Sequence, residues 1–218
     1  MAAVQILGPS FSNFVRSVML ACHEKGIDFQ QSMEYQGQQC MPGTAALGAL
    51  NPFSKVPVLV HEGLVLFETG SILRYLDREF GGPELQPTDS RLCAQVDQWC
   101  SAFASQVDQA IVRNYLLEIV MPLLQGGEVN QQRLTEAEPG VTRVLAIIEH
   151  QLGDDGYIVG EQFTLADAMA APMLDYLVGQ PAARTMVARA PRVQAYVERV
   201  KARPSAREVL VVPEFLQQ

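Results

Sequence analysis

The sequence predicts an α+β N-terminal domain followed by an all-α C-terminal domain. Over the first 80 residues, short apolar strands alternate with helices that are apolar on one side, which is typical of a small mixed sheet with helices on its faces. From Ser90 onward the apolar periodicity is helical throughout. Residues 81–89 hold two glycines and two prolines, which is typical of a linker. We therefore predict domains at residues 1–80 and 90–218, joined by a linker at 81–89.

Composition and charge restrict the class of protein. With 218 residues, 48% of them hydrophobic, the chain can form one large domain or two small ones with their own cores and is not expected to be disordered. A formal net charge of −8 disfavours nucleic acid and anionic membranes as partners. The four cysteines have neither CxxC nor metal-type spacing, and the sequence has no secretory pattern or membrane-spanning apolar run. We expect a cytoplasmic protein with free thiols, no metal, and no nucleic-acid or membrane partner.

The first elements follow from local patterns. A strand is predicted at residues 4–7 and is stopped by Gly8-Pro9, after which a polar loop at 10–13 leads into a helix. Lys25-Gly26 is typical of a helix end. A second strand is predicted at 27–33 and an irregular segment with at most a helical turn at 35–50. The apolar stripe of the first helix comprises Val15, Val18, Met19 and Cys22.

Residues 51–72 carry the most informative pattern, a loop, two short strands around a Glu62-Gly63 turn, and a helix that opens at Thr69. Val56 precedes a proline, so its backbone is held extended and can pair with an incoming extended peptide. Glu68 and Thr69 lie where a strand gives way to a helix, whose unpaired amides can receive a carboxylate. The apolar positions of this helix are Ile72, Leu73, Tyr75, Leu76 and Phe80.

The second half is predicted to contain a long helix at about 89–118, a break at Pro122 and Gly126-Gly127, and a helix at about 130–151. A turn at 153–156 and an extended segment at 157–160 precede Thr164 and Asp167, which form a capping box ahead of the apolar run 168–177 and are assigned to folding. The last helix is predicted at about 189–201, with a tail to residue 218. The inward positions of the long helix are Leu92, Val96, Trp99, Phe103, Val107, Ile111 and Tyr115.

The pattern from Asn51-Pro52 through Lys55-Val56-Pro57 to Glu68-Thr69 resembles the glutathione-binding segment of the cytosolic glutathione S-transferases. The string Ser12-Asn13-Phe14-Val15-Arg16-Ser17-Val18-Met19-Leu20-Ala21 resembles the helix start of serine-type members, which include bacterial, phi-like and zeta-like forms. The resemblance implies a thioredoxin-like N-terminal domain with a cis Pro57, an all-helical C-terminal domain and a homodimer. It implies that glutathione is the co-substrate, conjugated to a small hydrophobic electrophile.

The implied chemistry needs a thiolate, because the thiol, with a pKa of about 8.5, is the weaker nucleophile. A hydrogen-bond donor beside the sulfur favours the anion. The resemblance gives this role to Ser12, while Ser10 and Asn13 stay open as candidates. Without the resemblance, a serine at this place most simply caps the helix. Arg16 is expected to brace the first helix or the site loop.

The remaining contacts with glutathione follow from the same resemblance. Lys55 would meet the glycyl carboxylate and the backbone of Val56, beside Pro57, would pair with the cysteinyl unit. Glu68 would face the γ-glutamyl ammonium and Thr69 its carboxylate. The electrophile pocket would lie between the domains, with candidate residues Phe11, Phe103, Ile111, Val112, Tyr115 and Leu116.

Three alternatives remain at the level of the sequence. Phe53 either packs under its loop or contacts a partner subunit. The Ser10-Phe11-Ser12 loop also resembles that of glutathione-dependent isomerases of the maleylacetoacetate or maleylpyruvate type, so an isomerase or a dehalogenase on the same fold is a rival enzyme. A non-catalytic binding protein that keeps the fold is a rival from another class.

Overall fold

The computed structural model describes residues 4–154 and 156–213. The elements of its N-terminal half are β1 (Val4–Leu7), α1 (Asn13–Lys25), β2 (Phe29–Ser32), β3 (Glu34–Tyr35), β4 (Gln38–Gln39), α2 (Ala45–Leu50), β5 (Val58–His61), β6 (Leu64–Phe67) and α3 (Thr69–Glu79). Four of the strands form one sheet in the order β2-β1-β5-β6, in which β1 and β2 are parallel and the other pairs antiparallel.

The sheet is covered on both faces because its central strands, β1 and β5, are apolar on both sides. One face packs against α1 and α3 through residues such as Ile6, Val18 and Ile72. The other face packs on α2 through Leu7, Leu47 and Val58. The predicted order of strands and helices is therefore confirmed.

The segment predicted as irregular contains more structure than expected. β3 and β4, each of two residues, pair as a short hairpin. Thr44 caps the start of α2, because its side chain accepts a hydrogen bond from the Leu47 amide at 3.3 Å. Strands of two residues carry no periodicity, so the sequence could not reveal them. The predicted end of α1 is confirmed, because Gly26 adopts a left-handed φ of 67° and its amide bonds to carbonyls of the last turn.

The C-terminal half is helical, as predicted. Its elements are α4 (Ser90–Ala102), a π-helical segment (Phe103–Leu116), α5 (Leu117–Leu124), α6 (Gln131–Leu152), α7 (Leu165–Val178), a 3₁₀ turn (Pro181–Ala183), α8 (Arg184–Val187), α9 (Pro191–Lys201) and α10 (Pro204–Val209).

Two predictions about the long helix were wrong. Pro122 lies inside α5, and the helix continues to Leu124 before breaking at Gly126-Gly127. Leu92 was expected to point inward but is 41% exposed, because the first turn of α4 lies at the surface. The first buried residue of this helix is Val96.

The π-helical segment has a register that the sequence analysis did not foresee. In a π-helix the backbone hydrogen bonds join residues five apart, so side chains five apart share a face. Two such pairs occur here: Arg113 Nε donates to Asp108 Oδ2 at 2.9 Å, and Gln109 Nε2 donates to Asn114 Oδ1 at 2.7 Å. Both polar pairs therefore have the spacing that a π-helix brings to one face.

The helical core surrounds α7, whose residues are nearly all buried. The predicted capping box at its start is confirmed: Asp167 accepts hydrogen bonds from the Thr164 amide at 2.8 Å and from the Ile158 amide at 2.9 Å. Burial raises the pKa of Asp167 to about 6, and the hydrogen bonds to its carboxylate partly oppose that rise. Residues 157–160, expected to be extended, form bends and a turn, and residue 155 of the predicted 153–156 turn lies outside the described residues.

Helix α1 is fastened to the rest of the molecule by two ion pairs. Lys25 Nζ lies 3.0 Å from Asp77 Oδ1 in a buried pair that also involves the carbonyl of Pro83. Arg203 donates to both carboxylate oxygens of Glu24, at 2.7 and 2.5 Å. α1 therefore holds α3 and the C-terminal helices together. Among the described residues, no helix is both long and apolar enough to cross a membrane.

Candidate active site

A cavity of about 370 Å³ lies between the sheet domain and the helices. The loop before α1, the loop before β5 and the start of α3 form one wall, while the π-helical segment, α5 and Tyr176 form the other. The structure brings the following predicted site residues to its lining: Phe11, Ser12, Asn13, Lys55, Val56, Pro57, Glu68, Thr69, Val112 and Leu116.

Four predicted residues lie elsewhere. Phe103, Ile111 and Tyr115 were expected in the electrophile pocket but are fully buried in the helical core. The π-helical segment turns them toward the neighbouring helices α6 and α7, which is why an apolar stripe alone misassigned them. Ser10 is exposed, and its backbone carbonyl, not its hydroxyl, takes part in the loop structure.

Ser12 is the N-cap residue of α1, yet its side chain makes no capping hydrogen bond. Its amide donates to the Pro9 carbonyl at 3.0 Å, which fixes the backbone of the loop. Among the described residues its hydroxyl has no hydrogen-bond partner. The first turn of α1 also lacks an acidic side chain, so its unpaired amides keep a positive field beside this hydroxyl. The hydroxyl can therefore donate to an anion in the cavity.

Two other polar groups near Ser12 are differently placed. The side-chain nitrogen of Asn13 is buried and has no hydrogen-bond partner in the described part of the chain. The hydroxyl of Tyr176 donates to the Phe11 carbonyl at 2.7 Å, and burial raises the pKa of Tyr176 to about 12. Tyr176 therefore supports the loop as a neutral phenol.

The expectation that Arg16 braces the site loop is confirmed. Its Nε donates to the Ser10 carbonyl at 2.9 Å, and its guanidinium lies 4.7 Å from the centre of the Tyr176 ring. Its Nη2 also donates to the carbonyl of Val211 at 2.6 Å. Burial lowers the pKa of Arg16 from its usual value. The buried guanidinium thus connects the site loop to the C-terminal segment. No pattern in the sequence indicates the partner at Val211.

The loop before β5 is held by a buried residue that the sequence analysis did not single out as functional. The side chain of Asn51 donates to the Lys55 carbonyl at 2.8 Å and accepts from the Phe53 amide at 3.0 Å. The Val56–Pro57 bond is cis, as the resemblance implied. Within the described residues, the amide and carbonyl of Val56 make no hydrogen bond, so both remain available to an extended peptide.

Gly8 lets the two loops approach each other. Its φ is +136°, and a Cβ atom at this position would lie 2.7 Å from a methyl of Val15 and 2.8 Å from the Cβ of Val56. Only glycine combines this backbone conformation with this close approach. The distance between the Ser12 loop and Val56 therefore depends on Gly8.

Glu68 has an unusual backbone at the start of α3. Its φ is 68° although it is not a glycine, a conformation that costs about 1–3 kcal/mol and is commonest at functional sites. Its carbonyl accepts from the amides of Ser71 and Ile72, at 2.9 and 3.0 Å, while its side chain is exposed at the cavity and Thr69 is buried beside it. The carboxylate and the helix start thus face the same space.

The helical wall contributes an ion pair that the sequence analysis missed. Asp108 is buried, and burial raises the pKa of its carboxyl, against the opposing effects of Arg113 and Lys55. Both members of the pair line the cavity. Residues five apart do not form a side-chain pair on an α-helix, so no pattern in the sequence indicated that Asp108 and Arg113 interact. The wall is otherwise largely apolar and includes Leu117, Val120, Met121 and Leu124.

The cysteines do not offer a competing nucleophile. Burial raises the pKa values of Cys22 and Cys100 to about 12, so both are held as thiols. Cys40 is buried as well, and Cys93 lies outside the cavity. Among the described residues, no group of three or more potential ligands is arranged to hold a metal ion.

Models of two protein domains match the chain. The glutathione S-transferase N-terminal domain matches residues 11–79, and the glutathione S-transferase C-terminal domain matches residues 103–204. Glutathione S-transferase F14 of Arabidopsis thaliana is 31% identical over 206 residues, which cover 92% of this chain and 80% of that protein. Glutathione S-transferase 4 of Zea mays is 31% identical over 214 residues, which cover 95% of this chain and 92% of that protein.

Solved structures agree over nearly the full length. The theta class glutathione S-transferase from Xanthomonas axonopodis pv. citri, with glutathione bound, superposes with a TM-score of 0.85 and 25% identity over 98% of this chain and 99% of that one. Maize glutathione S-transferase I, in complex with an atrazine glutathione conjugate, superposes with a TM-score of 0.82 and 26% identity over 95% and 96% of the two chains.

Proposed function

The chain belongs to the glutathione S-transferase family and conjugates the thiolate of glutathione to small hydrophobic electrophiles, and we propose that Ser12 is the residue that stabilises this thiolate. One observation carries the proposal: the unpaired hydroxyl of Ser12 lines the same cavity as Lys55, Val56, Glu68 and Thr69. An extended tripeptide along that edge has its sulfur in the middle, which is where the loop before α1 supplies a donor.

In the proposed mechanism, the Ser12 hydroxyl donates a hydrogen bond to the sulfur. This donor and the amides at the start of α1 favour the thiolate over the thiol, whose ordinary pKa is about 8.5. The thiolate then attacks the electrophilic carbon, an S–C bond forms, and the leaving group departs with the bonding electron pair. Arg16 and Tyr176 act on the loop backbone and touch no reacting atom.

The two ends of glutathione are assigned by charge. Val56 pairs its free amide and carbonyl with the cysteinyl unit, and Lys55 meets the glycyl carboxylate. Glu68 faces the γ-glutamyl ammonium, while Thr69 and the start of α3 receive the carboxylate of the same residue. Each of these groups lines the cavity, which is what supports the assignment.

Lys55→Ala is expected to weaken glutathione binding about tenfold, because a charged hydrogen bond at a partly exposed site is lost. The value of kcat at saturating glutathione should change less than threefold, since the glycyl end is remote from the reacting sulfur. Titration calorimetry and steady-state kinetics measure the two effects. Lys201→Ala, a surface lysine outside the cavity, is the matched control. An unchanged affinity in Lys55→Ala would remove this residue from the site.

We also propose the organisation of the chain: residues 1–80 bind glutathione, residues 81–89 are a linker, and residues 90–218 supply the wall for the electrophile. The cavity lined from both sides supports this division. The four cysteines are free thiols, which suits the reducing cytoplasm where we expect the enzyme to act.

A homodimer is the proposed assembly, with Phe53 as a contact. The Phe53 side chain is 64% exposed and lies edge-on to Phe67, with ring centres 6.0 Å apart, so it does not pack under its own loop. Phe53→Ala is expected to raise the dimer dissociation constant at least tenfold, measured by sedimentation velocity. Ile147→Ala, which truncates a half-exposed apolar side chain on α6, should leave the dissociation constant unchanged. A monomeric parent, or a dimer indifferent to Phe53→Ala, would contradict the proposal.

A further inference from the structure

We infer that Arg113 is a specificity-determining residue of the electrophile site and that it selects electrophiles carrying a carboxylate beside an apolar body. The inference rests on the proposed function, because it assigns a substrate class to the same cavity. The residue sits in the wall of that cavity and is one of its few charged groups.

The π-helical register is what brings the charge into the wall. Asp108 and Arg113 are five residues apart, so the i to i+5 backbone ladder places them one above the other on the face that lines the cavity. Residues five apart on an α-helix do not share a face. π-Helical geometry is rare in proteins, and here it places both members of the pair in the lining of the cavity.

Asp108 fixes the guanidinium in one orientation. Its Oδ2 accepts from Arg113 Nε at 2.9 Å, and its side chain is 10% exposed, compared with 44% for Arg113. The buried carboxylate therefore serves as an anchor at the inner side of the arginine. In the part of the chain that the structure describes, the two terminal nitrogens of Arg113 have no hydrogen-bond partner. They form the fork that binds a carboxylate through two parallel hydrogen bonds.

The surroundings restrict the group that this fork receives. Lys55 is already assigned to the glycyl carboxylate of glutathione, so among the described residues that line the cavity Arg113 is the cation left for the second substrate. The neighbouring wall is apolar, which suits a ring or a chain next to the charged group. A substrate with a hydrogen-bond donor is a poorer fit, because the free Oδ1 of Asp108 is covered by protein atoms and cannot be reached from the cavity.

The test compares two electrophiles of similar size that carry either a carboxylate or a neutral carboxamide opposite the reacting carbon, 4-chloro-3,5-dinitrobenzoate and 4-chloro-3,5-dinitrobenzamide. In both reactions the glutathione thiolate forms an S–C bond at the chlorinated carbon and chloride leaves. The measured quantity is the ratio of kcat/KM for the acid to that for the amide, after each is divided by its uncatalysed rate with glutathione. Arg113→Met is expected to lower this ratio about 10-fold to 100-fold, the loss of a charged, two-pronged hydrogen bond.

Two further variants serve as a graded substitution and as a control. Arg113→Lys keeps the charge without the fork and should give an intermediate ratio. Arg133→Met removes an arginine that pairs with Glu118 outside the cavity and should leave the ratio within twofold of the parent.

An unchanged ratio in Arg113→Met would overturn the role of Arg113 in specificity but would leave the proposed function intact. An equal loss with both probes, together with weaker glutathione binding by calorimetry, would overturn it too, since the residue would then serve glutathione or the fold. A parent that turns over neither probe nor 1-chloro-2,4-dinitrobenzene would overturn the proposed function, and this assignment with it.

Discussion

Ser12→Ala is expected to lower kcat about 100-fold to 1000-fold while glutathione affinity changes less than threefold. Removing one preorganised donor from a developing or bound anion has an effect of this size in other enzymes. The hydroxyl of Ser12 makes no capping bond, so its removal leaves the helix start intact and the loss falls on the chemistry. Steady-state kinetics with 1-chloro-2,4-dinitrobenzene and titration calorimetry with glutathione measure the two quantities.

The pKa of bound glutathione supplies a second readout. In the parent, the thiolate absorption band should be present at neutral pH, and in Ser12→Ala the pKa of the bound thiol should rise toward about 8.5. Ser10→Ala is the matched control, since its hydroxyl does not line the cavity. Unchanged turnover in Ser12→Ala would contradict the assignment and move the role to Asn13, which also lines the cavity. A parent that binds glutathione without any thiolate band would instead favour the non-catalytic alternative.

Asp167→Ala is expected to lower the free energy of unfolding by about 3 kcal/mol. The carboxylate satisfies the amides of Ile158 and Thr164 and the Thr164 hydroxyl in a fully buried place. Each buried donor left without a partner costs about 1–3 kcal/mol, and removal of the desolvated charge offsets part of the sum. Urea unfolding monitored by circular dichroism gives the change.

An exposed cap provides the control for Asp167. Asp89 begins α4 by accepting from the amides of Arg91 and Leu92, but it lies at the surface. Asp89→Ala is therefore expected to cost only about 1 kcal/mol. If the two substitutions cost the same, burial would not be the source of the stabilisation by Asp167, and our account of the α7 start would be wrong.

Because of Asp167, the stability of the protein should depend on pH. Burial raises the pKa of Asp167 to about 6, so between pH 4 and 6 the native state binds this proton more readily than the unfolded chain does. The contribution of the group to stability is therefore largest below pH 4 and falls as the pH rises to 6. The free energy of unfolding of the parent minus that of Asp167→Asn should be about 1 kcal/mol larger at pH 5 than at pH 7, because ionisation of Asp167 at the higher pH destabilises the parent alone. An equal or opposite difference would contradict the raised pKa.

The sequence predicted those features of the fold that depend on a few adjacent residues. The capping box at Thr164 and Asp167, the end of α1 at Gly26 and the helix start at Thr69 each depend on a few adjacent residues, and all three are confirmed. The β3–β4 hairpin has strands of only two residues, which show no periodicity. Pro122 is typical of a helix break, and its local pattern does not reveal that the helix continues to Leu124.

The lining of the cavity shows the same limit. The residues from Lys55 to Thr69 were found because a contiguous motif carries them, whereas Phe103, Ile111 and Tyr115 were misplaced because an apolar stripe does not distinguish a core from a cavity wall. Asp108 and Arg113 were missed because their pairing needs a π-helical register.

The bond between Arg16 and the carbonyl of Val211 joins two points 195 positions apart in the chain. Synthesis runs from the first residue to the last, and N-terminal domains fold while the remainder is still being made. The sheet domain can thus form early on the ribosome, but the loop that carries Ser12 gains the support of Arg16 on Val211 only after Val211 has been synthesised. We therefore expect the loop that carries Ser12 to reach its final conformation late in folding.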